Sequence, residues 1–441
     1  MTSAAGTGRR RQDVVYRAGV YGRHPRVPTV YRALAREAKR RLDARAYGYV
    51  AGGAGDEATQ RADRTAFDHW SVVPRVLRDV SRRDTSVELF GRRLPAPVLL
   101  GPVGALELVH PEGDLAVARA AAAVGVPMVF SNQASVPMET TAAAMGDSPR
   151  WMQLYWSTSD ELVESLLGRA EATGCDAVVV TLDTTMLGWR PRDLDLGHLP
   201  FALGKGIAQY TSDPVFRRLV EERAAAAGAQ SAPPPAPPQR NPQPRPNAAA
   251  VRALLGMSRA WSRATGMPMR EALRSPLPRA AVEVFLGIYS RPSITWADLA
   301  WLRERTRLPI VLKGVLHPDD ARRAVEEGVD GVVVSTHGGR QVDRSIAALD
   351  ALPDVVDAVA DRVPVLFDSG VRSGADVLVA VALGARAVLL GRPYAWGLGV
   401  AGEDGVRQVV EDVLGEFDLT LGLTGHTAVD QLSREVLRRR P

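Results

Sequence analysis

The sequence reads as an α/β protein, a (β/α)8 TIM barrel with a long Pro/Ala-rich insertion after its fourth strand. Three features lead there. Eight short apolar runs recur along the chain, they are continuously rather than alternately apolar, and each is followed by an alanine-rich stretch with apolar residues at helical spacing. Continuous apolar strands belong to a parallel sheet covered on both faces. Eight strand and helix repeats are the number that closes such a barrel. A doubly wound open sheet is the competing architecture, but no strand here opens into the G-x-G-x-x-G turn that would support it.

Taken in order, the first residues, MTSAAGTGRRRQD, set arginines before no apolar segment, so 1–27 is expected to be a disordered basic arm and not a secretory signal. The barrel then occupies 28–441. Its strands are read at APVLLG around Val98, VPMVFS around Val129, RWMQLYW around Leu154, DAVVVTLD around Val179, LPIVLKG around Val311, DGVVVSTH around Val333, VPVLFDSG around Leu366 and RAVLLGRP around Leu389. Intervening segments such as DDARRAVEEG and GADVLVAVALG end on glycine, which suits a helix stop. The rhythm breaks once, where roughly 125 residues separate the fourth run from the fifth, far beyond an ordinary connection. This insertion, 191–295, contains AQSAPPPAPPQRNPQPRPNAAA, whose composition predicts a flexible segment over 226–250. A loop placed there stands over the barrel mouth, as a lid, an intersubunit arm or a tolerated surface loop.

Composition narrows the function classes. Hydrophobic residues are 46% and charged residues 24%, and no apolar run approaches the roughly 20 residues that span a bilayer, so the expectation is a cytoplasmic protein without a membrane partner. The net charge of +5 comes from basic residues interleaved with acids, which gives no footprint for nucleic acid. Cys175, the one cysteine, sits beside an apolar run and reads as a small buried hydrophobe. No C-x-x-C or H-E-x-x-H spacing suggests a metal. Of 55 basic residues only Lys39, Lys205 and Lys313 are lysine. Lys313 ends a buried strand, a poor place for an ammonium without a purpose.

In a barrel of this kind the chemistry gathers at the carboxyl ends of the strands. The third strand there supplies Gln153 and Tyr155, the fourth Thr181, Asp183 and then Arg190, the fifth Lys313, and the sixth Ser335, His337 and Arg340. The seventh and eighth give DSGVRSG and GRP, two glycine-arginine turns that would hold a phosphate through Gly370, Arg372, Gly391 and Arg392. Two arginines, a lysine, a histidine and an aspartate suit a carboxylate substrate with a proton to remove. Arginine offers a planar fork for the carboxylate, and neutral histidine can take the proton.

The motifs YVAGGAGDE, LKG, SxHGGRQxD, DxGVRxGxD and GRP, in that order, resemble the FMN-dependent 2-hydroxy acid oxidase and dehydrogenase family from about Tyr49 to Leu432. Within it, AFDHWSVVPRVLRDVSRRDTSVELFG, LGWRPRDLDLGHLPF and GIAQYTSDPVF are most similar to lactate 2-monooxygenase, which also carries a long insertion after the fourth strand. The resemblance implies that His337 is the base, with Asp183 stabilising its imidazolium. Arg190, Arg340 and Tyr49 would bind the substrate carboxylate, and Tyr155 the substrate oxygen. Lys313 would sit against the flavin. Pro102, Val103, Gly104, Ser131, Gln153 and Thr181 would line it, with Ser335, Asp368, Ser369, Gly370, Val371, Arg372, Gly391 and Arg392 completing the FMN site. The expected reaction is oxidation of an L-2-hydroxy acid with oxygen as acceptor and lactate 2-monooxygenase-like oxidative decarboxylation. The alternatives are a simple oxidase that releases the 2-oxo acid and hydrogen peroxide and, from a different class, a non-catalytic flavin-binding barrel. A homo-oligomer, tetramer or octamer, is implied as well. The chain departs from the family pattern at Thr336 for asparagine, Leu106 for glutamine, Thr185 for proline and Ser369 for glycine, while Gly104 agrees with the monooxygenase branch.

Overall fold

The computed structural model describes residues 6–229 and 247–440. At its centre eight parallel strands close on themselves: β1 (Val98–Leu100), β2 (Met128–Phe130), β3 (Arg150–Leu154), β4 (Val178–Thr181), β5 (Ile310–Val315), β6 (Gly331–Val334), β7 (Val365–Phe367) and β8 (Ala387–Leu390). β8 pairs with β1, so the sheet has no free edge. Each of the eight apolar runs becomes one of these strands, and their residues are almost all buried because helices cover the outside and side chains fill the inside. Burial of each such Val or Leu contributes roughly 1.5–3 kcal/mol, which is why the runs need no polar face.

One irregularity in the barrel serves the site. The register of β5 against β6 shifts between Lys313 and Val315. Gly314 there has φ +103°, and a β-carbon on it would come within 2.8 Å of the Asp183 side chain. Glycine thus lets the end of β4 crowd against β5 and bring Asp183 beside Lys313.

Two small antiparallel pairs lie outside the barrel, Val87–Leu89 with Arg92–Leu94 and Trp70–Val72 with Leu437–Arg439. Strands of three residues are too short for a periodic signal, and the sequence reading does not contain them. Phe90, in the turn of the first pair, packs on Trp151 at the start of β3 with ring centroids 5.3 Å apart.

Of the segment 1–27, expected to be disordered, residues Thr7–Val20 form a helix, contrary to that expectation, while 1–5 lie outside the described residues. This helix lies on the helical segment Arg392–Leu423, which is itself interrupted at Ala401 and Gly402. Gly8 makes the close approach possible, since a β-carbon there would meet the Gly415 carbonyl at 2.4 Å. Arg11 pairs with Asp412 at 2.6 Å and Glu411 at 3.1 Å. Asp418, 2% exposed, accepts two hydrogen bonds from the Arg83 guanidinium and one from the Gly8 N–H, all at 2.8 Å. Breaking a buried pair by removing one partner typically costs about 3–5 kcal/mol. Asp418→Ala is accordingly expected to lower the free energy of unfolding by about 3–5 kcal/mol, read as a lower urea midpoint at unchanged slope, and an unchanged midpoint would show that the clamp contributes nothing.

The insertion between β4 and β5 is largely helical, with Pro191–Asp195, Pro214–Ala229, Ala248–Thr265 and Leu277–Ile288. Most of the stretch expected to be flexible, 230–246, lies outside the described residues. Its flanks are helical, contrary to that expectation, and the Asn247 side chain caps the helix Ala248–Thr265 by accepting from the N–H groups of Ala249 and Ala250. The insertion builds its own aromatic core: Phe285 packs against Tyr210 at 4.8 Å, Tyr289 at 5.1 Å and Phe201 at 5.4 Å. Asn132, just past β2, donates to the Tyr210 hydroxyl at 2.6 Å and accepts from the Tyr155 N–H at 3.2 Å, which ties this core to the strand ends. Among the described residues no helix is long and apolar enough to cross a membrane.

Candidate active site

The carboxyl ends of the strands surround a cleft that opens to solvent. His337 reaches it from the turn after β6, where its φ of +57° is a left-handed conformation that histidine tolerates better than most residues. Its Nδ1 lies 2.8 Å from Asp183 Oδ1 and 3.3 Å from Thr184 Oγ1. Nε2 has no protein partner among the described residues and is the nitrogen left for a ligand. Burial alone would raise the Asp183 carboxyl, but His337 and Lys313 hold it well below the usual carboxylate range. The histidine is pushed below its ordinary value by burial and by Lys313 and Arg190, with Asp183 opposing. An ionised Asp183 therefore fixes the proton on Nδ1 and leaves the Nε2 lone pair facing the cleft.

Four arginines border the same space without a carboxylate partner among the described residues. Arg190 donates to the Arg340 carbonyl at 3.1 Å and to Gln341 Oε1 at 2.7 Å. Arg340 donates to the carbonyls of Tyr49 and Gly52 at 2.5 and 2.8 Å. Arg392 donates to the carbonyls of Val50, Gly338 and Gly52, while Arg372 stacks over the Tyr31 ring at 4.3 Å. Burial and Arg190 lower Arg340 to about 9, and burial and Arg372 lower Arg392 to about 10. A guanidinium does not give up its proton in a protein, so these directions mark two places that want an anion.

Lys313, 3% exposed, lies 3.0 Å from Asp368 and 3.7 Å from Asp183, and donates to Ser335 Oγ at 2.6 Å. Burial would lower its pKa, but the two carboxylates more than reverse that and keep it a cation. A polar ladder runs beside it: Ser131 Oγ donates to Gln153 Oε1 at 3.2 Å, and Gln153 Nε2 donates to Thr181 Oγ1 at 3.1 Å. A fixed cation, a ladder of amide and hydroxyl groups and an unpaired Arg372 and Arg392 are the donor set that a flavin mononucleotide, with its polar ring edge and phosphate, requires.

The model of the FMN-dependent dehydrogenase family matches residues 38–439. The chain belongs to that family. Among its relatives within it, an FMN-dependent alpha-hydroxy acid dehydrogenase of Penicillium citrinum, qulF, is 40% identical over 97% of this chain and 95% of its own. An L-lactate oxidase of Lysinibacillus sphaericus is 37% identical over 92% of this chain and 91% of its own. The structure of mandelate oxidase with (S)-4-hydroxymandelic acid superposes with a TM-score of 0.74 at 35% identity, covering 94% of this chain and 99% of that one. As in the rest of the FMN-dependent dehydrogenase family, the cofactor is FMN and the chain is a 2-hydroxy acid oxidoreductase.

Many of the residues singled out in the sequence of this FMN-dependent dehydrogenase come together around one cleft. His337, Tyr49, Tyr155, Arg190, Arg340, Lys313 and the two glycine-arginine turns all line the cleft. Asp183, Thr181 and Ser335 do not reach its surface; each stands behind a lining residue and hydrogen-bonds to it. Gln133, Thr184, Leu187, Phe201 and Tyr289 also line the cleft and were not anticipated. Thr184 follows a residue that was, so its position carried a signal. Phe201 and Tyr289 come from opposite ends of the insertion and carried none.

Proposed function

We propose that this chain oxidises an L-2-hydroxy acid on FMN with molecular oxygen as acceptor and decarboxylates the oxidised product before releasing it, as lactate 2-monooxygenase does. The observation that carries the oxidation is the His337–Asp183 pair at 2.8 Å, set beside Arg190 and Arg340, which lack carboxylate partners among the described residues. In this reading the two guanidiniums clamp the substrate carboxylate, and Nε2 of His337 accepts a proton from the substrate. Asp183 then faces an imidazolium, which its ionised carboxylate stabilises. Burial raises both tyrosine hydroxyls, Tyr155 to about 12 and Tyr49 in the same direction, so each stays a donor, Tyr155 toward the substrate oxygen and Tyr49 toward the carboxylate. Arg372 and Arg392 would hold the FMN phosphate with Gly370, Val371 and Gly391, and Pro102 to Gly104, Ser131, Gln153 and Lys313 would line its ring. FMN supplies the two-electron acceptor, which oxygen then reoxidises.

Decarboxylation requires that the 2-oxo acid and hydrogen peroxide meet before they part, giving an acid shorter by one carbon, carbon dioxide and water. The insertion supports that reading, because Phe201 and Tyr289, with Leu187, form a wall of the cleft. A simple oxidase is the second reading, favoured by the 37% identity to an L-lactate oxidase. The exposed Tyr16, Val20 and Tyr21 of the amino-terminal helix and the turn after it support a homo-oligomer. The purified holoenzyme, bleached anaerobically with a panel of L-2-hydroxy acids and then given air, separates these readings. Carbon dioxide equivalent to the flavin reduced supports the proposal, peroxide in its place supports the oxidase, and no bleaching by any acid rejects both.

A further inference from the structure

Thr336 and Ser369, at the ends of two neighbouring strands, are hydrogen-bonded to each other and lie in line with Asp63. This aspartate, 2% exposed, sits on the helix Ala58–Thr65, with its backbone carbonyl packed against Gly370. Three oxygen-to-oxygen contacts run in series from it: Asp63 Oδ2 to Thr336 Oγ1 at 2.5 Å, Thr336 Oγ1 to Ser369 Oγ at 3.0 Å, and Ser369 Oγ to Asp368 Oδ1 at 2.8 Å. Two hydroxyls supply only two hydrogens for these three contacts. With Asp63 ionised, Thr336 donates to Asp63 and Ser369 to Asp368, and Ser369 Oγ accepts from the N–H groups of Thr336 at 3.2 Å and Gly338 at 3.0 Å; a hydrogen in all three contacts requires a protonated carboxyl group. Asp368 is paired with Lys313 at 3.0 Å. Asp63 has no ion-pair partner among the described residues, and burial pushes its pKa up to about 6.

Of the charged groups around Asp63, Asp368 acts in the same direction and Arg392 against it. Arg64 on its own helix is taken up by Asp376 at 2.6 Å, and Asp343, across the helix, by the N–H groups of Asp56 and Thr59. The hydroxyls in the series also hold the turn that presents His337. Gly339 N–H donates to Thr336 Oγ1 at 3.1 Å, and Gly338 N–H to Ser369 Oγ at 3.0 Å.

We propose that Asp63, Thr336 and Ser369 form a buried proton-sharing chain that ends on Asp368, in which Asp63 is a positioning residue for the His337 turn and sets the charge beside Lys313. With Asp63 neutral, hydrogens point in sequence from Asp63 to Thr336, Ser369 and Asp368. On ionisation the Asp63 proton leaves to solvent, Thr336 turns to donate to Asp63, and the contact between Thr336 and Ser369 loses its hydrogen. The local charge becomes more negative by one.

The inference rests on the FMN site and the His337 role proposed above, and its test uses no substrate. The two-electron potential of FMN in the holoenzyme is titrated with a chemical reductant across pH. Asp63→Asn is expected to have a more positive potential than wild type at pH 8 and the same potential at pH 5, because only at the higher pH does wild type carry the Asp63 charge. Thr336→Val removes a donor to that carboxylate and should move the midpoint of the wild-type pH step upward. Equal differences at both pH values, or none at either, overturn the proposal, as does an unmoved midpoint in Thr336→Val, which decides the matter alone if Asp63→Asn fails to retain FMN. A failure of the His337 role would appear as turnover in a His337 variant, with the potential step intact.

Discussion

His337→Asn is expected to retain FMN and to lose turnover by roughly 10²–10⁴-fold, the usual worth of a general base. Asparagine is the replacement of choice because position 337 has φ +57°, a left-handed conformation that asparagine adopts with little strain. An alanine there would confound the chemistry with a disturbed turn. The variant keeps a polar group but has no nitrogen lone pair of imidazole basicity, so what it loses is the proton acceptor. The pH dependence gives a second readout. Since burial holds His337 below the ordinary histidine value of 6.5, the base is already neutral at pH 7. Wild-type kcat/KM should therefore hold steady down through that value and fall only below it, and the variant should lack this acid limb. Wild-type-like turnover in His337→Asn would refute the assignment.

The eight strands were legible because each is a continuous apolar run bounded by a turn, a purely local pattern. The residues at and just past their carboxyl ends were legible for a related reason: a closed parallel barrel delivers every strand end to one face, so knowing the strands placed Gln153, Lys313 and His337 together without knowing a single distance. What escaped depended on contacts between distant parts of the chain. The amino-terminal helix looks solvated in sequence because it is held by residues some 400 positions away, through ion pairs of Arg11 with Asp412 and Glu411 and a hydrogen bond from the Gly8 N–H to Asp418. Phe201 and Tyr289 lie in helices and turns with no barrel register to place them. Thr336 looked arbitrary until its partners were seen, since Asp63 and Ser369 are 273 and 33 residues away.

Lys313→Met is the second replacement expected to have a large effect, and it tests why an arginine-dominated chain keeps a lysine there. Methionine fits the volume but leaves Asp183 and Asp368 in a buried space with no ammonium between them. Two consequences follow. Asp183 loses one of the two charges that keep it ionised, so its hold on the His337 proton weakens. In the proposed site, reduced FMN would lose the fixed positive charge that Lys313 supplies. Loss of one preorganised group of this kind typically costs about 10²–10³ in rate, and the rate of anaerobic flavin reduction by substrate is expected to fall by that much. The FMN potential should become more negative in the same variant, the opposite of the shift expected for Asp63→Asn at pH 8. Lys313→Arg distinguishes charge from fit: it restores the positive charge, but its planar fork cannot sit 3.0 Å from Asp368 and 2.6 Å from Ser335 as a compact ammonium does. Partial recovery of the potential with little recovery of rate would assign the lysine both a charge and a geometry, and a wild-type rate of reduction in Lys313→Met with FMN bound would remove it from the mechanism.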